Sequence, residues 1–78
     1  MRTIRVIDTN PLSIVDIQKV RREIISTNKR VTFYENNCSD VVFIPKPELN
    51  YEEIDDLRVK FPEYKISFEE KSQDDFAV

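Results

Sequence analysis

The chain has 78 residues, 40% of them hydrophobic and 35% charged, a formal net charge of −3, one cysteine, no histidine and no glycine. That composition is globular, not disordered, and the length allows one domain with a thin core. Without glycine there is no phosphate-cradling loop or dinucleotide fingerprint; without histidine the usual zinc sets and His-based triads drop out; and Cys38 alone cannot close an internal disulfide.

No run reaches the roughly 20 apolar residues of a membrane span. The N-terminus meets charge at Arg5 and Asp8 and lacks the apolar stretch of a signal peptide. The expectation is a cytoplasmic protein. Abundant Ile, Lys, Asn and Glu point to an AT-rich bacterial, phage or archaeal-virus source. Charge is uneven: residues 1–34 carry a net +4 and residues 35–78 a net −7, which leave −3.

Residues 3–8 are β-branched and nearly alternating, which predicts a first strand. Asn10-Pro11 stops it and offers a helix start, and Ser13 with Asp16 three residues later offers another. Ile14, Ile17, Val20 and Ile24 then repeat on one helical face, predicting a helix over about 12–27 that Asn28 ends. Val31 and Phe33 alternate with Thr32 and Tyr34 in a second strand over 30–35. A polar loop, 36–40, holds Cys38 and leads to the apolar run 41–44, a central strand that Pro45 and Pro47 end. Asn50 with Glu53 marks a second helix start; Tyr51, Ile54, Leu57 and Phe61 form its apolar face, and Pro62 closes it at about 61. Tyr64, Ile66 and Phe68 alternate in a fourth strand. From Glu69 the chain turns acidic, so residues 1–69 are expected to form a single domain and 70–78 a flexible acidic tail that ends in Phe76-Ala77-Val78.

The order β-α-β-β-α-β is the split βαβ, or ferredoxin-like, α+β pattern: a four-stranded antiparallel sheet with two helices on one face and strands one and three in the centre. Ile4, Val6, Val31, Phe33, Val41, Phe43, Ile66 and Phe68 are assigned to the covered face. The open face then carries Arg5, Ile7, Thr32, Tyr34, Val42, Ile44, Lys65 and Ser67. Its apolar members, Ile7, Tyr34, Val42 and Ile44, are expected to cluster into an interaction patch.

No catalytic group, metal site or cofactor site is expected. Asp8 ends the first strand, where the small metal-dependent proteins of CRISPR adaptation, which share this element order, carry an aspartate. A lone Asp before Asn-Pro is a turn former. RNA binding through this fold needs aromatics on the central strands, where Ile7, Val42 and Ile44 stand instead. The basic residues Lys19, Arg21, Arg22, Lys29 and Arg30 offer an alternative contact for nucleic-acid phosphates. The acids Glu48, Glu52, Glu53, Asp55 and Asp56, with Glu69, Glu70, Asp74 and Asp75, would imitate phosphates toward a basic groove. The reading that follows is a non-enzymatic protein-binding module: a small regulator or inhibitor, phage-encoded, its target a host nuclease or defence protein. It meets a protein partner or a second copy of itself through Ile7, Tyr34, Val42 and Ile44. Glu52, Glu53, Asp55 and Asp56 add charge complementarity.

Overall fold

A computed structural model describes residues 2–70. The elements are β1 (Arg2–Ile7), α1 (Ile14–Ile25), β2 (Arg30–Asn37), β3 (Asp40–Lys46), α2 (Tyr51–Lys60) and β4 (Lys65–Glu70). The strands form one antiparallel sheet in the order β2-β3-β1-β4, which is the ferredoxin-like arrangement. The two cleanly alternating strands, β2 and β4, are the edges. No helix among the described residues is long and apolar enough to cross a membrane.

Both helices begin by the same local device. Ser13 caps α1 and Asn50 caps α2. Each cap accepts from the backbone N–H three residues on, and that residue's carboxylate, Asp16 or Glu53, accepts from the cap's own N–H. Leu12 and Leu49 precede the caps, and Ile17 and Ile54 follow four residues after them, the arrangement of a hydrophobic staple. Leu49, Ile17 and Ile54 lie in the core and Leu12 packs against it. Of the two starts offered by the sequence, the Ser13–Asp16 box is the one used. Asn28, with φ 64°, takes the left-handed conformation after α1 and turns the chain into β2.

The core lies between the helices and one sheet face: Ile4 and Val6 of β1, Val31 of β2, Val41 and Phe43 of β3 and Ile66 of β4 meet Ile17, Val20, Ile24, Ile54, Leu57 and Phe61. Phe33 and Phe68 are half-buried at its margins. The covered face is therefore the one read from the alternation.

Four expectations change. Ile14 is 63% and Tyr51 68% exposed, although both fit the apolar periodicity. Each is the first residue of its helix, and beside it Leu49 fills the core at the start of α2 while Leu12 packs against the core at the start of α1. Tyr51 instead meets Phe68 edge-on at 5.3 Å, with the Arg2 guanidinium over both rings. Pro45 does not end β3: it is paired opposite Val31, past Phe43, where the β1 ladder stops, so its missing N–H takes nothing from that ladder. The polar loop shrinks to a turn at Cys38-Ser39, because β2 runs on to Asn37 with a bulge between Glu35 and Asn37. Finally, Tyr64 precedes β4, and Glu69 and Glu70 belong to that strand, opposite Thr3 and Arg2; the flexible tail expected beyond them lies outside the described residues.

The caps give a direct test. Asn50→Ala should lower stability by about 1 kcal/mol in urea denaturation, whereas Val59→Ala, at a side chain 79% exposed, should shift it by less than about 0.5 kcal/mol. Equal losses would mean that α2 is held by its exposed face and not by its start.

Candidate protein-binding face

Register places the open-face residues. Tyr34 of β2 stands opposite Val42 of β3, which stands opposite Arg5 of β1, which stands opposite Ser67 of β4. Thr32 is opposite Ile44, and Arg30 is opposite Lys46. Ile7 lies between Asp40 and Lys65.

Arg5 organises the middle of this face. Its Nε donates to Asp40 Oδ1 at 2.9 Å, its Nη2 donates to Asp40 Oδ2, and its Nη1 donates to Glu69 Oε2 at 3.4 Å. One guanidinium thus ties β3, β1 and β4 together on the face opposite α1 and α2. Hydrogen bonding from Arg5 holds the buried Asp40 carboxyl below the usual carboxylate range. Thr3, also on this face, donates its hydroxyl to the Glu69 carbonyl at 2.9 Å.

The apolar patch is smaller than its sequence suggests. Tyr34, Val42 and Ile44 adjoin on β2 and β3, but Ile7 is set apart by Arg5 and Asp40. Val42 has 0% exposure, as does Thr3, whereas Tyr34, Ile7 and Ile44 are half-buried. Beyond Ile44 the strip ends in Arg30 and Lys46, both exposed and neither in an ion pair among the described residues. Like charges directly across a strand pair repel each other. Lys46 was not among the residues singled out from the sequence. The register of a tight hairpin identifies it, and the longer loop expected there hides it.

The acids of α2 are on the other side of the molecule, in the helix layer, so a flat partner on the sheet face cannot touch them. They are also partly engaged: Glu53 holds Lys29 at 3.1 Å besides closing the Asn50 cap, and Asp55 pairs with Arg58 at 3.2 Å. The cap N–H is the main cause of the lowered Glu53 pKa. Glu52 and Asp56 are exposed without an ion pair among the described residues. Glu48 accepts from the Arg2 N–H at 2.9 Å. An acidic surface shaped like nucleic acid is thus broken up, apart from Asp74 and Asp75, which lie outside the described residues.

The basic set is divided as well. Lys29 is 10% exposed at its side chain and committed to Glu53. Lys19 and Arg22 are exposed beside Lys60, but Glu23 binds Lys60 at 2.6 Å in the same groove. Arg21 is half-buried, and Arg30 belongs to the sheet corner.

Asp8 and Cys38 both take part in local hydrogen bonds. Asp8 accepts from the Thr9 N–H at 2.7 Å and so shapes its own turn. Cys38 is exposed at the hairpin tip, and its carbonyl accepts from the Leu12 N–H. No cluster of three or more metal-ligating side chains occurs among the described residues. A cleft between the helices, lined by Glu23, Leu49, Glu53 and Lys60, holds about 40 Å³, and the open groove beside it, lined by Lys19, Arg22, Lys60 and Phe61, about 510 Å³. Comparison with protein-family models, with curated proteins and with solved structures gives no match.

The ion pair predicts an acid response. Asp40's folded-state pKa is depressed, so its contribution is present above the unfolded carboxylate value, about 3.9, and is lost as pH falls through the depressed one. Asp40→Asn should lower stability at pH 7 by about 1–2 kcal/mol, less than for a fully buried pair because Arg5 keeps one side in water. The gap from the parent protein should close in urea titrations as pH drops below about 4. A gap that stays constant with pH would mean that Asp40 is not the titrating group.

Proposed function

We propose that this protein is a non-enzymatic protein-binding module that acts as a small regulator or inhibitor, and that it engages an extended, acidic and apolar segment of its partner on the β2–β3 side of the open sheet face. The observation that carries this is the juxtaposition of an apolar strip, Tyr34-Val42-Ile44, with a basic corner, Arg30 and Lys46, whose mutual repulsion an incoming carboxylate would relieve. β2 is also an edge strand. A partner strand added beside it gains main-chain hydrogen bonds while alternate side chains reach Thr32 and Tyr34. The contact set is therefore narrower than the sequence suggests: Tyr34 and Ile44 with Arg30 and Lys46. Ile7 and the α2 acids lie apart from it, and Val42 forms its floor. Nucleic-acid binding through Lys19, Arg21, Arg22, Lys29 and Arg30 has less support, because those residues do not share one surface.

The test uses the protein immobilised against lysate of its natural host, with bound proteins compared across variants. Ile44→Asp and Lys46→Glu should each reduce capture of the specific partner at least about tenfold, equivalent to 1.4 kcal/mol, whereas Asp56→Lys should leave it unchanged. Val42→Asp is unsuitable, because it would place an unpaired carboxylate at a fully buried position and unfold the sheet. Loss of capture in Asp56→Lys alone would move the contact to the helix layer. Capture of nucleic acid that weakens steeply with salt would favour the basic first helix instead.

A further inference from the structure

We propose that β2 pairs edge to edge with β2 of a second copy of this chain, antiparallel about a two-fold axis at Thr32, so that two four-stranded sheets become one of eight strands. This goes beyond the proposed partner contact and rests on it in one respect: both occupants use the β2 edge, so capture of the partner requires the pair to part.

The two sheet edges are unlike. β4 carries Lys65, Glu69 and Glu70, and the Arg58 guanidinium of α2 donates to the Ile66 carbonyl at 2.9 Å. Charges and covering side chains are how an edge is kept from pairing. Among the described residues β2 has a strand neighbour on one side only, and from Val31 to Tyr34 it has neither charge nor proline. Its bulge lies between Glu35 and Asn37, beyond this stretch. Such a stretch is a template for another strand.

The strand also complements itself. A two-fold axis perpendicular to the sheet keeps the faces matched, because it sets residues of the same parity opposite one another. Centred on Thr32, it sets Val31 opposite Phe33 on the helix-covered face and Arg30 opposite Tyr34 on the other, each twice, and Thr32 opposite itself. Aromatic–β-branched, cation–aromatic and Thr–Thr pairs are all favourable. Just beyond them Lys29 comes opposite Glu35, with opposite charge. Centred on Phe33, the axis would set the Glu35 carboxylate against Val31; centred on Val31, it would pair only three residues of the strand. The Thr32 register selects a second copy as the occupant.

The helix layer adds a second contact. α1 lies over β2 and β3, and α2 over β4. Ile17, Val20 and Ile24 face the sheet, and Glu23 reaches Lys60 of α2. At 3.6 residues per turn, Ile14, Gln18, Arg21 and Ile25 therefore lie on the flank above the β2 edge. Ile14 is 63% and Ile25 39% exposed there. With the edges joined at about 4.8 Å and each α1 roughly half a strand spacing inside its β2, the two helices would lie about 10 Å apart, a packing distance. α1 starts by the β2–β3 turn, where the Leu12 N–H meets the Cys38 carbonyl, and ends by Arg30, in a groove shared with Ile25. The axis thus sets Ile14 of one copy beside Ile25 of the other.

The experiment measures the mass of the full chain by light scattering across a dilution series. Twice the monomer mass, falling on dilution, is expected; a monomer up to millimolar concentration overturns the proposal. Thr32 is exposed, so the fold tolerates a charge there. Thr32→Lys and Thr32→Glu should each weaken self-association about fivefold or more, through like charges across the axis, and an equimolar mixture of the two should restore it. Unchanged association in both overturns the proposal. In a Cys38→Ser background, Thr32→Cys should form a disulfide between copies under oxygen, and Ile44→Cys should not; the reverse overturns the edge pairing in favour of stacked open faces. The linked Thr32→Cys pair should lose partner capture until it is reduced, and normal capture by that pair overturns the exclusion. The two readings fail separately. If the pair forms but Ile44→Asp captures normally, the partner site is elsewhere. If Ile44→Asp loses capture but the chain is monomeric, the edge serves a partner alone.

Discussion

Among the described residues there are two helices, and they cover one face of a four-stranded sheet. Everything else in the structure answers to that constraint. The middle of the covered face is apolar: Ile4, Val6, Val41, Phe43 and Ile66 sit beneath Ile17, Val20, Ile24, Ile54 and Leu57. Because the core is thin, the helices must be held in place by more than area. Paired capping boxes set where each begins, and Lys29–Glu53 and Lys60–Glu23 fasten α2 to the α1 side of the layer. Short polar ties of this kind add little each, but they fix orientation where burial alone would leave slack.

The other face must be compatible with water or with a second surface. In its middle, Arg5, Asp40 and Glu69 place a three-strand ion network where an apolar residue would be a liability. Toward the β2 edge the face becomes apolar and then basic, which is an unbalanced arrangement for a surface meant only for solvent. The functional reading follows from that imbalance. It does not follow from the fold, which serves many unrelated activities.

Much of the architecture was legible locally. Alternation in β1, β2 and β4 assigned the covered face correctly because side chains in a strand point to opposite sides with a period of two. Ser13-x-x-Asp16 and Asn50-x-x-Glu53 marked both helix starts because their hydrogen bonds are made within four residues and need no tertiary partner. The misreadings share one cause. Ile14 and Tyr51 fit the helical period, but periodicity reports angle around the helix axis and not whether the sheet extends beneath that turn. Pro45 looked like a stop because the ladder beside it was assumed to be continuous. The hairpin turn looked longer than it is because Asn36, Asn37 and Asp40 are polar whether paired or not.

The candidate site was half legible for the same reason. That Tyr34, Val42 and Ile44 share the open face could be read from alternation; that Ile7 stands apart, and that Arg30 faces Lys46, required the pairing register. So did the division of the acidic and basic sets, since Glu53 meets Lys29 and Glu23 meets Lys60 only once the helices lie side by side. The sequence by itself determined the order of elements, the helix starts and which residues face the core, because these depend on backbone geometry and burial within a few residues. Only the tertiary structure decided which charges are paired with one another and which are in no ion pair among the described residues, because that depends on distances between segments far apart in the chain.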